Sequence, residues 1–355
     1  MAILMKGNEA IAEAAIQAGC RLFCGYPITP STEIPEYMAK KMKKAGGTYL
    51  QAESEVAAIY MVYGAGAAGA RVMSGTSSPG FSLMQEGLSY LFAAEIPCVI
   101  ADVMRGGPGL GGLGPTQADY FQLTKGGGHG DYHPIVLAPA TVQEMIDLTK
   151  EAFDLADIYR NPVILAVDGI LGQMMEPVEF PGTYKAKILP AKTWAADGCE
   201  GRPKNNVISY YLSSEAGEAD NLRWGKKMAQ MQAAEQRFAE LSLDDAEYAF
   251  VAFGTSSRIT ETAIDMLRSE GVKVGLFRPI SLWPFPVEGL QKRVPQIKGW
   301  MSIELSAGQM VQDVRLAVNG RAPVGFYGRQ GGMIPEPEEI VAAFKTQILQ
   351  GGVQR

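Results

Sequence analysis

The chain lacks any run near the roughly 18 consecutive apolar residues that a bilayer-spanning helix needs, so a membrane protein is not expected. It also lacks a basic amino-terminal stretch leading into an apolar segment and a cleavage site. The start reads MAILMKGNEAIAEAA, and a cytoplasmic protein is the expectation. Positive charge is not in excess: 32 Lys and Arg stand against 38 Asp and Glu, for a net charge of -6. A polyanion such as nucleic acid needs clustered cations and is not expected as a partner.

Cysteine is scarce. Cys20, Cys24, Cys98 and Cys199 are too few and too scattered for a disulfide framework. The C-x3-C pair of Cys20 and Cys24 has no second pair beside it, so no iron–sulfur cluster is expected on this chain, and the thiols read as buried small hydrophobes. The two histidines, His129 and His133, lie in GGGHGDYHP. Their spacing of four suits a metal only on a helix, which the flanking Gly and Pro prevent. A loop in which Asp131 and the histidines order the following strand is expected instead.

Several catalytic signatures are missing as well. No G-x-x-x-x-G-K-[ST] occurs, which excludes a P-loop nucleotidase. Gly107, Gly109 and Gly112 satisfy G-x-G-x-x-G, but Pro108 sits inside the motif and no helix opens at its end. A phosphate there would meet no helix N-terminus, so a mobile loop that lets backbone approach a ligand is the expectation. Ser77 and Ser78 in SGTSSPG form no nucleophile elbow and read as caps of the helix beginning at Pro79 or Gly80.

What is present is an α/β pattern. Apolar strand candidates at 21–26, 48–52, 70–75, 97–104, 134–140 and 162–169 alternate with helical periodicity at 8–19, 31–44, 55–70, 81–94 and 142–158. Nearly continuous Val/Ile/Leu strands in βαβ order imply a parallel sheet with helices on both faces. Three organisational units are expected: an α/β domain over 1–180, a Pro/Gly-rich connecting arm over 181–245 that ends in a helix at 221–241, and a second α/β domain over 246–355. In the last, strands 248–254, 273–279 and 299–305 alternate with helices 258–270, 287–293 and 308–318.

Ligands of such sheets bind outside the carboxyl ends of strands, and YPITPST, SGTSSPG and MRGGPGLGGLGP all fall there. So does QAESEVAAIYMVYGAGAAGA, which sets a carboxylate at a strand–helix junction before a helix of small residues that permit close approach of another backbone. Taken alone, Glu55 reads most simply as an acid in a first helical turn, favourable by a few tenths to about 1 kcal/mol, and Glu53 is an equal candidate.

Together, YPITPST, ESE-x-AA, GTSSPGFSLM-x-EG, DVMRGGP and GHGD, in that order and spanning the chain, resemble the alpha subunit of the 2-oxoacid:ferredoxin oxidoreductases. GPGLGGLGPTQADYFQ and GGGHGDYHPIVLAPATVQE are most similar to the branched-chain (2-oxoisovalerate) members. The resemblance implies a thiamine-enzyme pyrimidine-binding domain followed by a transketolase-C-terminal-like domain. It implies oxidative decarboxylation of a 2-oxo acid onto coenzyme A, with ferredoxin reduced. It assigns Glu55 to N1′ of the thiamine diphosphate aminopyrimidine, where it favours the tautomer that takes the thiazolium proton, and Thr29 and Arg105 to the substrate. VDGILGQ lacks the first Gly of the GDG metal-diphosphate motif, and no asparagine pair follows at the right distance. Diphosphate, Mg²⁺ and iron–sulfur clusters are therefore expected on partners: a beta subunit, and gamma and ferredoxin-like delta subunits. A 2-oxoglutarate or pyruvate member, or a non-catalytic interface subunit, stays open at this stage.

Overall fold

The computed structural model describes residues 2–180, 182, 184, 185 and 187–352. Strand β1 (Ile3–Lys6) runs straight into α1 (Gly7–Gln17), an alanine-rich helix with most of its residues buried. Four strand–helix units follow. They are β2 (Leu22–Gly25) with α2 (Glu33–Lys41), and β3 (Thr48–Gln51) with α3 (Glu55–Ala67). Next come β4 (Val72–Thr76) with α4 (Ser78–Ala93), and β5 (Cys98–Met104) with the short α5 (Tyr120–Thr124). This half ends with β6 (Ile135–Leu137), α6 (Val142–Tyr159), β7 (Pro162–Asp168), α7 (Gly169–Gln173) and β8 (Met175–Val178). The β8 strand pairs antiparallel with β1.

The carboxyl-terminal half opens with α8 (Ser214–Ala234), β9 (Phe238–Leu241), β10 (Tyr248–Val251) and α9 (Gly254–Ser269). It continues with β11 (Val274–Pro279), β12 (Ser281–Trp283), α10 (Val287–Arg293) and β13 (Gly299–Glu304). The last elements are α11 (Met310–Val318), β14 (Val324–Gly328) and α12 (Pro337–Phe344).

Two sheets organise these elements. The larger runs β12-β6-β7-β5-β4-β2-β3, and the smaller β14-β13-β10-β11-β9. Every residue of β5 and β7 is buried, as expected for parallel strands covered by helices on both faces. Each such Val, Ile or Leu side chain contributes about 1.5–3 kcal/mol. Chain order reverses in the large sheet: β2 leads outward to β3, whereas β4 lies on the other side of β2 and leads to β5. Open α/β sheets bind ligands in the crevice beyond the strand ends at such a switch point.

Two elements depart from the sequence reading. The helix expected over 221–241 begins earlier, at Ser214, where the Ser213 side chain accepts from the Ala216 N–H, and ends at Ala234. Residues 238–241 form β9, an edge strand antiparallel to β11, held by Phe238 stacked on Phe277 at 4.8 Å. The second departure is β12, which belongs to the carboxyl-terminal half of the chain yet pairs antiparallel with β6 of the large sheet. His133 stacks on its Trp283 at 4.7 Å between centroids, so the His-containing loop orders a junction between the halves as well as the strand that follows it. Within the arm, Ala196 N–H bonds the Ala67 carbonyl at 2.8 Å and Arg160 lies over the Trp194 ring, so this stretch packs back onto the first half.

Further contacts lock the halves together. Gln117 donates to Phe253 O at 2.7 Å and accepts from Ser256 Oγ at 3.0 Å and from Leu305 N at 3.1 Å. Asp168, buried at the end of β7, caps α7 through Leu171 N and accepts from both the backbone N and the hydroxyl of Thr255. Among the described residues no helix is long and apolar enough to cross a membrane.

Candidate active site

Three loops at the carboxyl edge of the large sheet carry the candidate residues. Thr29 follows β2, Glu55 follows β3, and Arg105 follows β5. The first turn of α4, which follows β4, joins them.

Glu55 is the first residue of α3. Ser54 caps that helix by accepting from Ala57 N at 3.2 Å, so the chain turns sharply and directs the next residue inward. Glu55 is only 4 % exposed, whereas Glu53 faces solvent. That separates the two carboxylates the sequence left equal. No described residue donates a hydrogen bond to the Glu55 carboxylate. It rests against Gly80, where a Cβ would overlap both Glu55 Oε1 and Thr76 Oγ1 and lie 2.8 Å from Glu55 Cδ. The Thr76 hydroxyl at the same spot, and the buried hydroxyls of Ser74 and Ser77 from the same strand–helix segment, have no partner among the described residues. A buried acid without a donor, beside an unsatisfied hydroxyl, is costly unless an external polar group completes it. That is the arrangement an aminopyrimidine, with ring nitrogens and an amino group, would satisfy.

Thr29 is exposed at the tip of the β2–α2 loop, next to a cis bond to Pro30. The loop is tied down from below: Asn8 Nδ2 and Gln173 Nε2 both donate to the Pro30 carbonyl, at 2.7 and 3.0 Å. Arg105 is 7 % exposed and links this loop to the glycine-rich one, donating to Thr29 O at 2.8 Å and Leu110 O at 3.1 Å. A guanidinium has five N–H donors, and here the buried Nε has no acceptor, so capacity for an anion remains. The glycine loop is compact: Gly106 N bonds Gly114 O and Gly112 N bonds Gly106 O, both at 2.8 Å. At Gly111, with φ of 63°, a Cβ would strike the Gly106 carbonyl.

Two cavities flank these residues. One of about 440 Å³ lies between the halves and is lined by Arg105, Ser78, Asp119, Gln122 and Gln309 among others. Another, about 430 Å³, opens between Thr29, Glu33, Leu113 and Gln173. Glu55 lines neither, and the first turn of α4 connects it to them: Gly80 contacts Glu55, while Ser78 Oγ accepts the Arg105 backbone N–H at 2.9 Å. The sequence reads Ser77 and Ser78 only as caps, whereas α4 begins at Ser78 and Ser77 makes no side-chain cap bond; it gives Gly80, Asp102 and Asp119 no part in the site. Asp102 had a signal, being a lone charge in the strand CVIADVM. Among the described residues, no group of three or more His, Cys, Asp or Glu is placed to hold a metal.

A switch-point crevice with a buried acid after β3 and an arginine after β5, on a sheet joined to a second α/β unit, is the ligand crevice of an open α/β enzyme. The match to known proteins is more specific. Residues 13–216 match the sequence model of the thiamine-diphosphate-binding domain of pyruvate flavodoxin/ferredoxin oxidoreductases, and residues 246–340 match pyruvate:ferredoxin oxidoreductase core domain II. The chain is 48% identical to the ketoisovalerate oxidoreductase subunit VorB of Methanothermobacter marburgensis, over 95% of this chain and 96% of that one. It is 38% identical to the 2-oxoglutarate synthase subunit KorA of Methanocaldococcus jannaschii, over 96% and 98%. The structure overlays that of the 2-oxoglutarate:ferredoxin oxidoreductase from Magnetococcus marinus with a TM-score of 0.87 and 30% identity, covering 98% of this chain and 65% of that one. A split-gene transketolase shares the fold at a TM-score of 0.63 and 14% identity. The chain belongs to the 2-oxoacid:ferredoxin oxidoreductase family, whose enzymes act through several subunits with ferredoxin as acceptor.

Proposed function

We propose that this chain is the alpha subunit of a thiamine-diphosphate-dependent oxidoreductase that decarboxylates 2-oxoisovalerate to its acyl-coenzyme A and reduces ferredoxin. The observation that carries this reading is the buried Glu55 carboxylate, left without a donor in a polar cradle shaped by Gly80. When bound, thiamine diphosphate supplies a carbon acid and an electron sink for decarboxylation. Glu55 holds the pyrimidine ring nitrogen and exchanges a proton with it. Arg105 offers a guanidinium to the substrate carboxylate, whose planar oxygens suit its fork. Thr29, whose carbonyl Arg105 holds at 2.8 Å, presents its hydroxyl to the substrate. The divisions at 1–180, 181–245 and 246–355 belong to the same reading, with the two sheets as their support.

The branched-chain preference rests on the similarity to the VorB subunits and on the cavity walls. Among the described residues, Arg105 is the one cation lining either cavity. That serves one carboxylate, whereas a dicarboxylate such as 2-oxoglutarate calls for a second cation. Leu110 and Leu113 of the glycine loop are 82 % and 62 % exposed beside Arg105 and Thr29 and offer apolar surface to an alkyl group. The diphosphate and Mg²⁺ are assigned to a beta subunit, and the iron–sulfur clusters to partner chains including a ferredoxin-like delta subunit beside gamma.

The test is thiamine-dependent reduction of a viologen dye by the co-purified complex, with coenzyme A and 2-oxoisovalerate, 2-oxoglutarate or pyruvate. The expected result is preference for 2-oxoisovalerate and a loss of about 10²-fold or more in Glu55→Ala. Preference for another acid would overturn the substrate and keep the chemistry. Full activity of Glu55→Ala would leave the chain a scaffold.

A further inference from the structure

Behind Arg105 lies a second acidic pair that the reading above does not use. Asp102, on β5, is fully buried and neither of its oxygens takes a hydrogen bond. Its ladder neighbours, Thr76 on β4 and Ala166 on β7, carry no charge. The charged group that acts on it is Asp119, from the loop before α5, whose carboxylate takes the hydroxyl of Ser78 where that hydroxyl meets the backbone N–H of Arg105 at the end of β5. From α4, the Ser78 backbone N–H also approaches.

Asp119 is differently placed. Its Oδ2 accepts the Ser78 hydroxyl and its Oδ1 accepts Gln122 Nε2 at 2.8 Å. Ser78 has a single hydroxyl proton, for which the Asp119 carboxylate and, at 3.2 Å, the Arg105 carbonyl compete; given to the charged Asp119, it leaves Ser78 Oγ as the acceptor of the Arg105 N–H. Two carboxyl groups in contact away from water cannot both ionise. Asp119 already has donors for its charge, so the proton belongs on Asp102, which donates it to Asp119 and thereby gains the partner it otherwise lacks.

We propose that Asp102 and Asp119 act as a carboxylic acid–carboxylate pair whose shared proton fixes Asp119 and, through the Ser78 hydroxyl that Asp119 accepts, positions Arg105 for the substrate carboxylate. These are positioning residues, and the proposal rests on the assignment of Arg105 to the substrate. The electrostatics agree: burial first, and then the Asp119 charge, push Asp102 well above the usual carboxylate range, against a smaller opposing effect of the Ser78 N–H. Burial likewise raises Asp119, while hydrogen bonds from Ser78, Gln122 and Asp102 hold it down. As pH rises and the shared proton is lost, two buried negative charges repel, the bond between Asp102 and Asp119 breaks, the end of β5 loosens and KM for the 2-oxo acid rises.

The test compares Asp102→Asn, which keeps a donor, with Asp102→Leu, which removes it, in the co-purified complex. The infrared difference between wild type and Asp102→Asn reports the protonation state without turnover, and a protonated-carboxyl C=O band is expected from wild type. In kinetics, Asp102→Asn should keep the wild-type KM for the 2-oxo acid at neutral pH and lose the alkaline rise in KM. Asp102→Leu should raise KM about tenfold, the equivalent of one buried hydrogen bond, with a smaller change in kcat. Absence of the carboxyl band, or equal KM values for the Asn and Leu variants, would overturn the proposal. An unchanged KM in Arg105→Met would instead overturn the assignment of Arg105 to the substrate.

Discussion

The contact between Gly80 and Glu55 makes Gly80→Ala an informative perturbation, because its effects on stability and on catalysis should separate. Gly80 lies in the first turn of α4 with an ordinary helical backbone, and alanine there gains about 0.5–1 kcal/mol of helix propensity. Against this, the new Cβ would lie 2.8 Å from Glu55 Cδ and closer still to Thr76 Oγ1. Carbon–carbon contacts settle at about 3.5–4.0 Å, so the carboxyl must withdraw by roughly 0.7–1.2 Å. The end of a glutamate side chain can do this by a small rotation, but the Thr76 hydroxyl, on a χ1-stiff side chain buried in β4, must give way as well. Overpacking of this kind costs about 1–3 kcal/mol, so after the gain in propensity the melting temperature should fall by only a few degrees, about 2–6 °C. Catalysis has no such tolerance, since a misplacement of about 1 Å lowers rates on the order of 10²-fold. Dye reduction by the complex and a thermal melt of the same preparation read the two effects. A Gly80→Ala complex with wild-type turnover would refute the claim that the place of the Glu55 carboxyl matters. A collapse in melting temperature would refute the claim that the Glu55 carboxyl and the Thr76 hydroxyl can both give way locally.

Two other features give sharp expectations. Gln117→Ala removes three hydrogen bonds between the halves of the chain and should lower unfolding free energy by about 2–4 kcal/mol, read by urea denaturation; a loss below about 0.5 kcal/mol would contradict the interlock. Lys227 is pushed down to about 8, first by burial, with Glu95 opposing and Arg223 and Arg160 adding to the fall. Its folded value lies below the ordinary 10.5, so between the two the unfolded chain binds more protons and stability from this group rises with pH. Lys227→Met should remove that rise from the pH dependence of unfolding, and an unaltered profile would show that Lys227 titrates normally.

The places of the candidate loops were legible because parallel α/β sheets set their loops by rule. Alternating apolar runs and Pro/Gly punctuation put the segments of Thr29, Glu55 and Arg105 at strand ends, while the selection of these three residues came from the family resemblance. The choice between Glu53 and Glu55 was not legible, since it depends on where the Ser54 cap starts α3. Nor could the sequence bring Asp102 to Asp119 or Gly80 to Glu55, because those contacts join separate strand–helix units across the sheet. The same limit hid β12, a three-residue strand whose partner β6 lies far back in the chain. At β9 a helical pattern was read too far, and packing of Phe238 on Phe277 decides in favour of strand.

The central claim is that Glu55 holds the cofactor's pyrimidine. The direct measurement is a structure of the assembled complex with thiamine diphosphate. The account predicts a Glu55 carboxylate oxygen about 2.6–3.2 Å from the pyrimidine ring nitrogen, with the ring in the cradle formed by Gly80 and Thr76. A pyrimidine bound elsewhere, with Glu55 facing an apolar wall or a partner side chain, would contradict it.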